Sequence, residues 1–205
     1  KGHTQSLTSV AFGGSDLVTG SKDRTARVFS TATGACRAVL EGHADEVSCI
    51  VVCGEHITTG SLDRTARVWD RASGICRFIL EDHASAITSV APSPNGDFVL
   101  TASADNTVRV YSTQTGRCCF VLRGHRDSVT HVAFSSDGTF IVSASRDNTA
   151  RLWSRCTQFP PSTYTTICPP HMAVSRKFGD TPLHLACRRG DLATVQTLLS
   201  LPDTG

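Results

Sequence analysis

Long apolar runs are missing from this 205-residue chain, and its charge is nearly balanced at a net +2. The first absence removes a membrane-spanning helix, which needs ~18 or more consecutive apolar residues. The second removes the basic surface that nucleic acid or an anionic membrane would call for. Helical periodicity is missing as well: no window up to residue 154 sustains apolar residues three and four apart. There is no Gly-rich loop followed by Lys-Ser or Lys-Thr and no kinase signature, so no phosphate cradle of those kinds. Aromatics are scarce at 6%, too few to supply a platform for stacked bases. The nine cysteines form an odd total without paired spacing. That argues against a disulfide framework and for reduced thiols, hence a cytoplasmic setting, with the nucleus as an alternative.

What is there repeats. His3, His43, His83 and His125 recur at steps of 40 or 42 residues, as do Asp23, Asp63, Asp105 and Asp147. The rare aromatics keep the same register as Phe29, Trp69, Tyr111 and Trp153. Three unrelated residue types in one register mean stacked copies of one supersecondary unit. The repeats run over about 2–41, 42–81, 82–123 and 124–154.

Each unit opens on Gly-His, or Asp82-His83 in the third, and continues with a short apolar segment such as Val47 to Val52. A turn follows, with Asn95-Gly96 and Asp137-Gly138 as hairpin signals because both residues tolerate positive φ. A second strand (Ile57 to Ser61), a turn on the recurring Asp, a third strand (Thr65 to Trp69) and a fourth (Cys76 to Leu80) complete it. Cys36, Cys76 and Cys118 share one position and read as small buried apolar residues. Asp16 falls in what reads as an exposed turn, where its loss should cost little. The fourth repeat lacks a clear last strand, Thr163 to Ile167 being the nearby candidate.

Gly42-His43, Gly60-Ser61-Leu62-Asp63-Arg64-Thr65 and Val68-Trp69-Asp70 resemble the WD-repeat β-propeller family, over residues 2 to about 154. The resemblance implies a mainly β fold of four-stranded blades around a channel. It implies a buried network in which the Asp meets the histidine, the histidine a strand-two hydroxyl, and the hydroxyl the Trp. The members are His3, Asp23, His43, Asp63, Trp69, His83, Asp105, His125, Asp147 and Trp153. The hydroxyl is Thr19 or Ser21, Thr59 or Ser61, Thr101 or Ser103, and Ser143 or Ser145. Phe29 has no N–H to donate, and the Tyr111 hydroxyl is differently placed. A hydrolase reading of these His, Asp and Ser residues fails on number: a catalytic set occurs once, and this one occurs four times. The series Arg27, Arg67, Arg109 and Arg151 reads as stems packed on a strand with heads reaching solvent.

Four blades leave an open arc or a share of a larger ring, seven blades being usual in the family. Further blades before Lys1 are the expectation, because an open arc exposes an apolar face and an edge. Residues 155–178, with Pro160-Pro161 and Pro169-Pro170, read as a linker. Gly179-Asp180-Thr181-Pro182-Leu183-His184-Leu185-Ala186 and the stripe Leu192, Val195, Leu198, Leu199 resemble an ankyrin repeat over about 179–205. That resemblance implies short helices near 182–189 and 192–200. Cys168-x2-His171 and His184-x2-Cys187 have finger-like spacing, yet zinc there would unwind the helix that Thr-Pro-Leu-His opens. No metal or cofactor is expected.

Both resemblances imply a non-catalytic scaffold or adaptor for other proteins or peptides, rather than for small molecules. The family's ligands tend to sit where the Gly-His loops and Asp turns emerge. Matching positions here are Gln5, Lys22, Asp45, Leu62, Ser85, Ala104, Asp127 and Arg146. The competing expectation is a regulatory arm of a larger enzyme, a ubiquitin-ligase substrate receptor or an ATPase or kinase sensor region, with catalysis outside this chain.

Overall fold

The computed structural model describes residues 2–155 and 164–166. Each repeat folds into one antiparallel four-stranded sheet, its strands adjacent in chain order. The first sheet holds β1 (Leu7–Gly13), β2 (Asp16–Ser21), β3 (Ala26–Ser30) and β4 (Cys36–Leu40). The second holds β5 (Val47–Cys53), β6 (His56–Ser61), β7 (Ala66–Asp70) and β8 (Cys76–Leu80). The third holds β9 (Ile87–Pro92), β10 (Phe98–Ser103), β11 (Val108–Ser112) and β12 (Cys118–Leu122). The fourth holds β13 (Val129–Phe134), β14 (Phe140–Ser145), β15 (Ala150–Arg155) and β16 (Tyr164–Thr166).

The strand-two turns close where glycine supplies a positive φ, 77° at Gly96 and 72° at Gly138. β16 comes from the stretch read as linker, and the end of β15 trims that stretch further. Its register is Trp153↔Thr166, Ser154↔Thr165 and Arg155↔Tyr164. An unpaired β15 edge would leave a row of backbone groups without partners, and a Tyr-Thr-Thr segment of high β preference meets that need. The ankyrin helices, the zinc-like spacing and the rest of the linker lie outside the described residues. Among the described residues no helix is long and apolar enough to cross a membrane.

The sheets pack face to face in chain order, β1 against β5, β5 against β9 and β9 against β13. The core is therefore three interfaces rather than one centre. Val18, Ala26, Val28 and Leu40 of the first sheet close on Val47, Ile50, Ile57 and Trp69 of the second. Leu80 and Val68 meet Ile87, Val99 and Tyr111, and Leu122 and Val110 meet Val129, Ile141 and Trp153. A hydroxyl ties each neighbouring pair: Thr8 donates to the Val47 carbonyl, Ser48 to that of Ile87 and Thr88 to that of Val129. Thr130, next in register, donates instead to Ala144 of its own sheet at 3.2 Å.

The arc is open at its first sheet. Val47, Ile87 and Val129 are 0% exposed, while Leu7, their counterpart, is 60% exposed. Ile50, Val90 and Val132 are 9% exposed or less, against 61% for Val10. Phe12 is also exposed.

Two expectations need correction. Cys36 is exposed, and Cys76 and Cys118 are half-buried. They open the outermost strands, whose edge faces water, so a small apolar residue there is only partly covered. Asp16 is not in an exposed turn. It begins β2 and is 2% exposed, held between Arg37 of its own sheet and Arg71 of the next. Arg71 Nε donates to Asp16 at 2.8 Å, and its Nη atoms donate to the carbonyls of Gly13 and Gly54. One guanidinium thus rivets the turns of two blades. Asp16→Ala strips a buried carboxylate from two arginines, an expected loss of about 1–3 kcal/mol. Glu81→Ala, on an exposed side chain, should stay within about 0.5 kcal/mol. Urea melts of the two variants check this, and equal midpoints would contradict it.

Candidate functional site

In every blade the histidine Nδ1–H meets the recurring Asp, at 2.9 Å for His3–Asp23, 2.8 Å for His43–Asp63, 2.7 Å for His83–Asp105 and 2.9 Å for His125–Asp147. Nε2 meets Thr19, Thr59, Thr101 and Ser143, at 2.7–2.8 Å. Trp69 and Trp153 donate Nε1–H to Thr59 and Ser143 at 2.9 Å. One donor order satisfies every group: Trp N–H to hydroxyl, hydroxyl to Nε2, Nδ1–H to carboxylate. Where the Trp is present, in the second and fourth blades, that order makes His43 and His125 neutral Nδ1–H tautomers.

The other hydroxyl of each candidate pair has separate work. Ser21, Ser61, Ser103 and Ser145 accept the backbone N–H of the Asp and donate to the carbonyls of Gln5, Asp45, Ser85 and Asp127. Both alternatives are used, one inward and one toward the loop.

A further member escaped the sequence reading. Thr25, Thr65, Thr107 and Thr149 each give an O–H and an N–H to one oxygen of the Asp two residues before. The other oxygen accepts the N–H after the histidine, from Thr4, Ala44, Ala84 and Arg126. These threonines recur in register, so the signal was present. The residue between Asp and Thr is left-handed: Arg24, Arg64, Asn106 and Asn148 have φ of 65–73°. Such a conformation costs an L-residue roughly 1–2 kcal/mol, least for Asn, and the carboxylate ties hold it.

Gly42 and Gly124 have φ of 144° and 152°. A Cβ there would lie 2.7 Å from Arg67 Nη1 and 2.8 Å from Arg151 Nη1. The arginine heads thus fold over the Gly-His loop, Arg67 donating to the Gly42 carbonyl at 2.9 Å and standing 5.9 Å from the Trp69 ring. This corrects the expectation of heads reaching freely into solvent. In the third blade, Asp82 replaces the glycine and Tyr111 the Trp. Tyr111 Oη makes no well-formed hydrogen bond. Burial first, and then the nearby Asp82 carboxylate, push its pKa up.

The network offers little chemistry to a substrate. Its hydroxyls are 0% exposed at Thr59, Thr101 and Ser143, and each is already committed. In the first blade the set borders a cleft lined by His3, Leu7, Leu17, Thr19 and Phe29, the space that a neighbouring sheet fills in the other three. Among the described residues no group of three His, Cys, Asp or Glu side chains is placed to hold a metal.

On the loop face the eight positions form four pairs. The N–H of Lys22, Leu62, Ala104 and Arg146 donates to the carbonyl of Ser6, Glu46, Ala86 and Ser128. Those carbonyls each lie one residue beyond Gln5, Asp45, Ser85 and Asp127. Gln5, Lys22, Asp45, Asp127, Arg146 and Leu62 are exposed, whereas Ser85 and Ala104 are half-buried. Lys22 reaches Glu46 of the next blade at 3.4 Å.

Four antiparallel blades in an arc, each locked by one His–Asp–hydroxyl set, define a β-propeller repeat array. The family model described as WD domain, G-beta repeat matches residues 1–30, 34–70, 74–112 and 116–154, and the chain belongs to that family. The ankyrin repeat model matches residues 178–203. No curated protein matches the chain. Among solved structures it is similar to the computationally designed Ika4 protein, with 31% identity and a TM-score of 0.69, over 75% of this chain and 94% of that one.

Two outcomes follow from the network. Asp63→Ala removes an acceptor of four hydrogen bonds and should cost about 1–3 kcal/mol, seen as a lower denaturation midpoint. An unchanged midpoint would remove the structural role assigned to the recurring Asp. The second outcome concerns pH. Burial holds the His43 and His125 imidazoles below the ordinary histidine value despite Asp63 and Asp147. Burial alone would raise the Asp147 pKa, but hydrogen bonds from Thr149, the Arg126 N–H and His125 outweigh it and bring it to about 2. Asp23, Asp63 and Asp105 are lowered in the same way. The unfolded histidines take protons first, so stability falls as pH drops below about 6.5. The carboxylates contribute fully above about pH 4, and that share is lost toward about pH 2. Thermal melts should show both declines, the first reduced in His43→Gln; a flat melting temperature from pH 7 to 5 would contradict the buried neutral histidines.

Proposed function

We propose that the chain is a non-catalytic scaffold or adaptor that presents the loop face of its blades, and an ankyrin surface, to other proteins or peptides. The observation that carries this reading is the division within each loop pair. Backbone bonds repeated in all four blades hold two positions side by side, yet the side chains differ from blade to blade: Gln5 and Lys22, Asp45 and Leu62, Ser85 and Ala104, Asp127 and Arg146. A fixed frame with variable occupants suits recognition, because the fold does not constrain what stands there. The first two pairs place an exposed Leu62 among Lys22, Asp45 and Glu46, an apolar anchor with a charged rim of the kind protein contacts use.

The test is proximity labelling in cells with tagged residues 1–205, comparing wild type with Lys22→Glu/Leu62→Glu. The variant should lose a defined set of labelled neighbours while keeping its melting temperature. An unchanged set would remove this face from the function.

A further inference from the structure

Charge on the loop face is unevenly shared between blades. The residue after the histidine is Thr4, Ala44 and Ala84 in the first three blades and Arg126 in the fourth. The residue before the recurring Asp is Lys22, Leu62 and Ala104, and then Arg146. The residue two before the histidine is Glu41 in the second blade, Glu81 in the third and Arg123 in the fourth. Arg123, Arg126 and Arg146 are all exposed. The fourth blade alone fills these three positions with arginine, in a chain whose net charge is only +2.

The frame beneath two of these arginines is fixed. The Arg126 N–H donates to Asp147 Oδ2 at 2.9 Å, and the N–H of Arg146, the residue before that Asp, donates to the Ser128 carbonyl at 2.9 Å. Both bonds recur in the other blades without an arginine, so the fold does not call for these guanidiniums. The acids beside them are engaged elsewhere. The Asp147 side chain is 5% exposed and takes its hydrogen bonds from His125, Thr149 and the Arg126 backbone. Asp127 is exposed, and its Oδ1 accepts the Ser128 N–H at 2.6 Å. Among the described residues none of the three guanidiniums has an ion-pair partner. The third blade reverses the sign: Glu81 and Asp82 are exposed, and Ala84, Ser85 and Ala104 beside them are uncharged. The cationic patch therefore stops at a blade boundary. That marks a local site rather than a basic groove able to follow a nucleic-acid backbone.

We infer that the loops of the fourth blade dock an acidic segment of a partner protein, with Arg126 and Arg146 taking its Asp or Glu carboxylates and Arg123 at the edge. This rests on the reading of the loop face as a protein-binding surface and names the chemistry that one part of it takes. A guanidinium presents a planar fork that holds a carboxylate through two parallel N–H···O bonds, and arginine clusters are a recurring way of reading acidic peptide motifs. Glu81 and Asp82 repel such a segment when it shifts toward the third blade, so the acids beside the site help to fix where it lies.

Fluorescence anisotropy of a labelled hexaglutamate peptide, titrated with residues 1–205 at low ionic strength, tests this. The peptide should bind, a hexalysine peptide should not, and ~1 M salt, where screening acts within ~3 Å, should abolish the signal. Arg126→Ala and Arg146→Ala should each weaken binding roughly fivefold, the upper end for an exposed ion pair. Both keep the backbone N–H that the fold uses, so their melting temperatures should match wild type. Arg117→Ala, exposed in the turn before β12 at the opposite end of the sheet, removes the same charge and should leave the affinity unchanged. No binding of hexaglutamate overturns the proposal, as does binding that survives both Arg126→Ala and Arg146→Ala or falls equally in Arg117→Ala. A thymidine oligonucleotide bound as tightly as the peptide also overturns it, because phosphates would then be read as well as carboxylates. The two readings fail separately. Labelled neighbours lost from Lys22→Glu/Leu62→Glu, without hexaglutamate binding, would leave the loop face as a protein-binding surface and strike only the acidic partner.

Discussion

One carboxylate per blade holds together segments that are far apart in the chain. Asp63 collects the His43 ring and the N–H after it from the loop at the start of the repeat, and the O–H and N–H of Thr65 from its own turn. A buried carboxylate is costly unless its oxygens are saturated, and four donors do that. Because the donors come from two separate segments, the entry loop and the Asp63 turn, meeting the carboxylate's need fixes one against the other. From there the constraint runs inward through the histidine to a hydroxyl and, in two blades, to a Trp that is itself part of an interface core. Polar satisfaction and apolar packing are therefore one structure: tilting the ring away from Asp63 would disturb Thr59, and through it Trp69.

The second constraint is that a single blade cannot bury itself. The face carrying Val47 and Ile50 is closed only by the sheet before it, so cohesion accumulates interface by interface, as in other repeat arrays. Leu7 and Val10 show the converse, exposed in the same strand and register where no sheet among the described residues stands in front. Small polar devices follow the same neighbour rule. The Thr8, Ser48 and Thr88 hydroxyls reach across to the following sheet, and Thr130, with no following sheet among the described residues, donates to Ala144 of its own.

Most of the architecture is legible in the repeat itself. Period, turn glycines and apolar alternation place the first fifteen strands nearly to the residue, because each is set by local chemistry copied four times. The network is legible in its members but not in its wiring. Ser61 and Thr59 share one face of the strand, and only their place along it separates them: Thr59 lies within β6 against His43, while Ser61 ends the strand against the Asp45 carbonyl and the Asp63 N–H. Thr65 recurs as faithfully as the histidine, yet a hydroxyl two residues from an Asp looks like turn filler beside His, Asp and Trp. The failures at Asp16 and Cys36 share another cause. Both depend on what a neighbouring element does at a sheet edge, and neither belongs to a pattern that alternation can reveal.

Asp16 also shows where repetition ends and individuality begins. Its register partners in the other blades are His56, Phe98 and Phe140, so no rule of the fold calls for a carboxylate there. It is acceptable only because Arg71 of the next blade and Arg37 of its own supply charge at the same point. Asp82 and Tyr111 form a second such exchange, in which a glycine and a Trp are replaced together and the new phenol lies under the influence of the new carboxylate. The Asp16 departure is tied to its two arginines because a buried polar group introduced alone would lack a partner, whereas Tyr111 keeps a buried hydroxyl without a well-formed hydrogen bond. The loop-face side chains depart singly, Leu62 in one blade and Lys22 in another. An exposed position makes no such demand on its neighbours, and that freedom separates a surface available for recognition from a frame that is not.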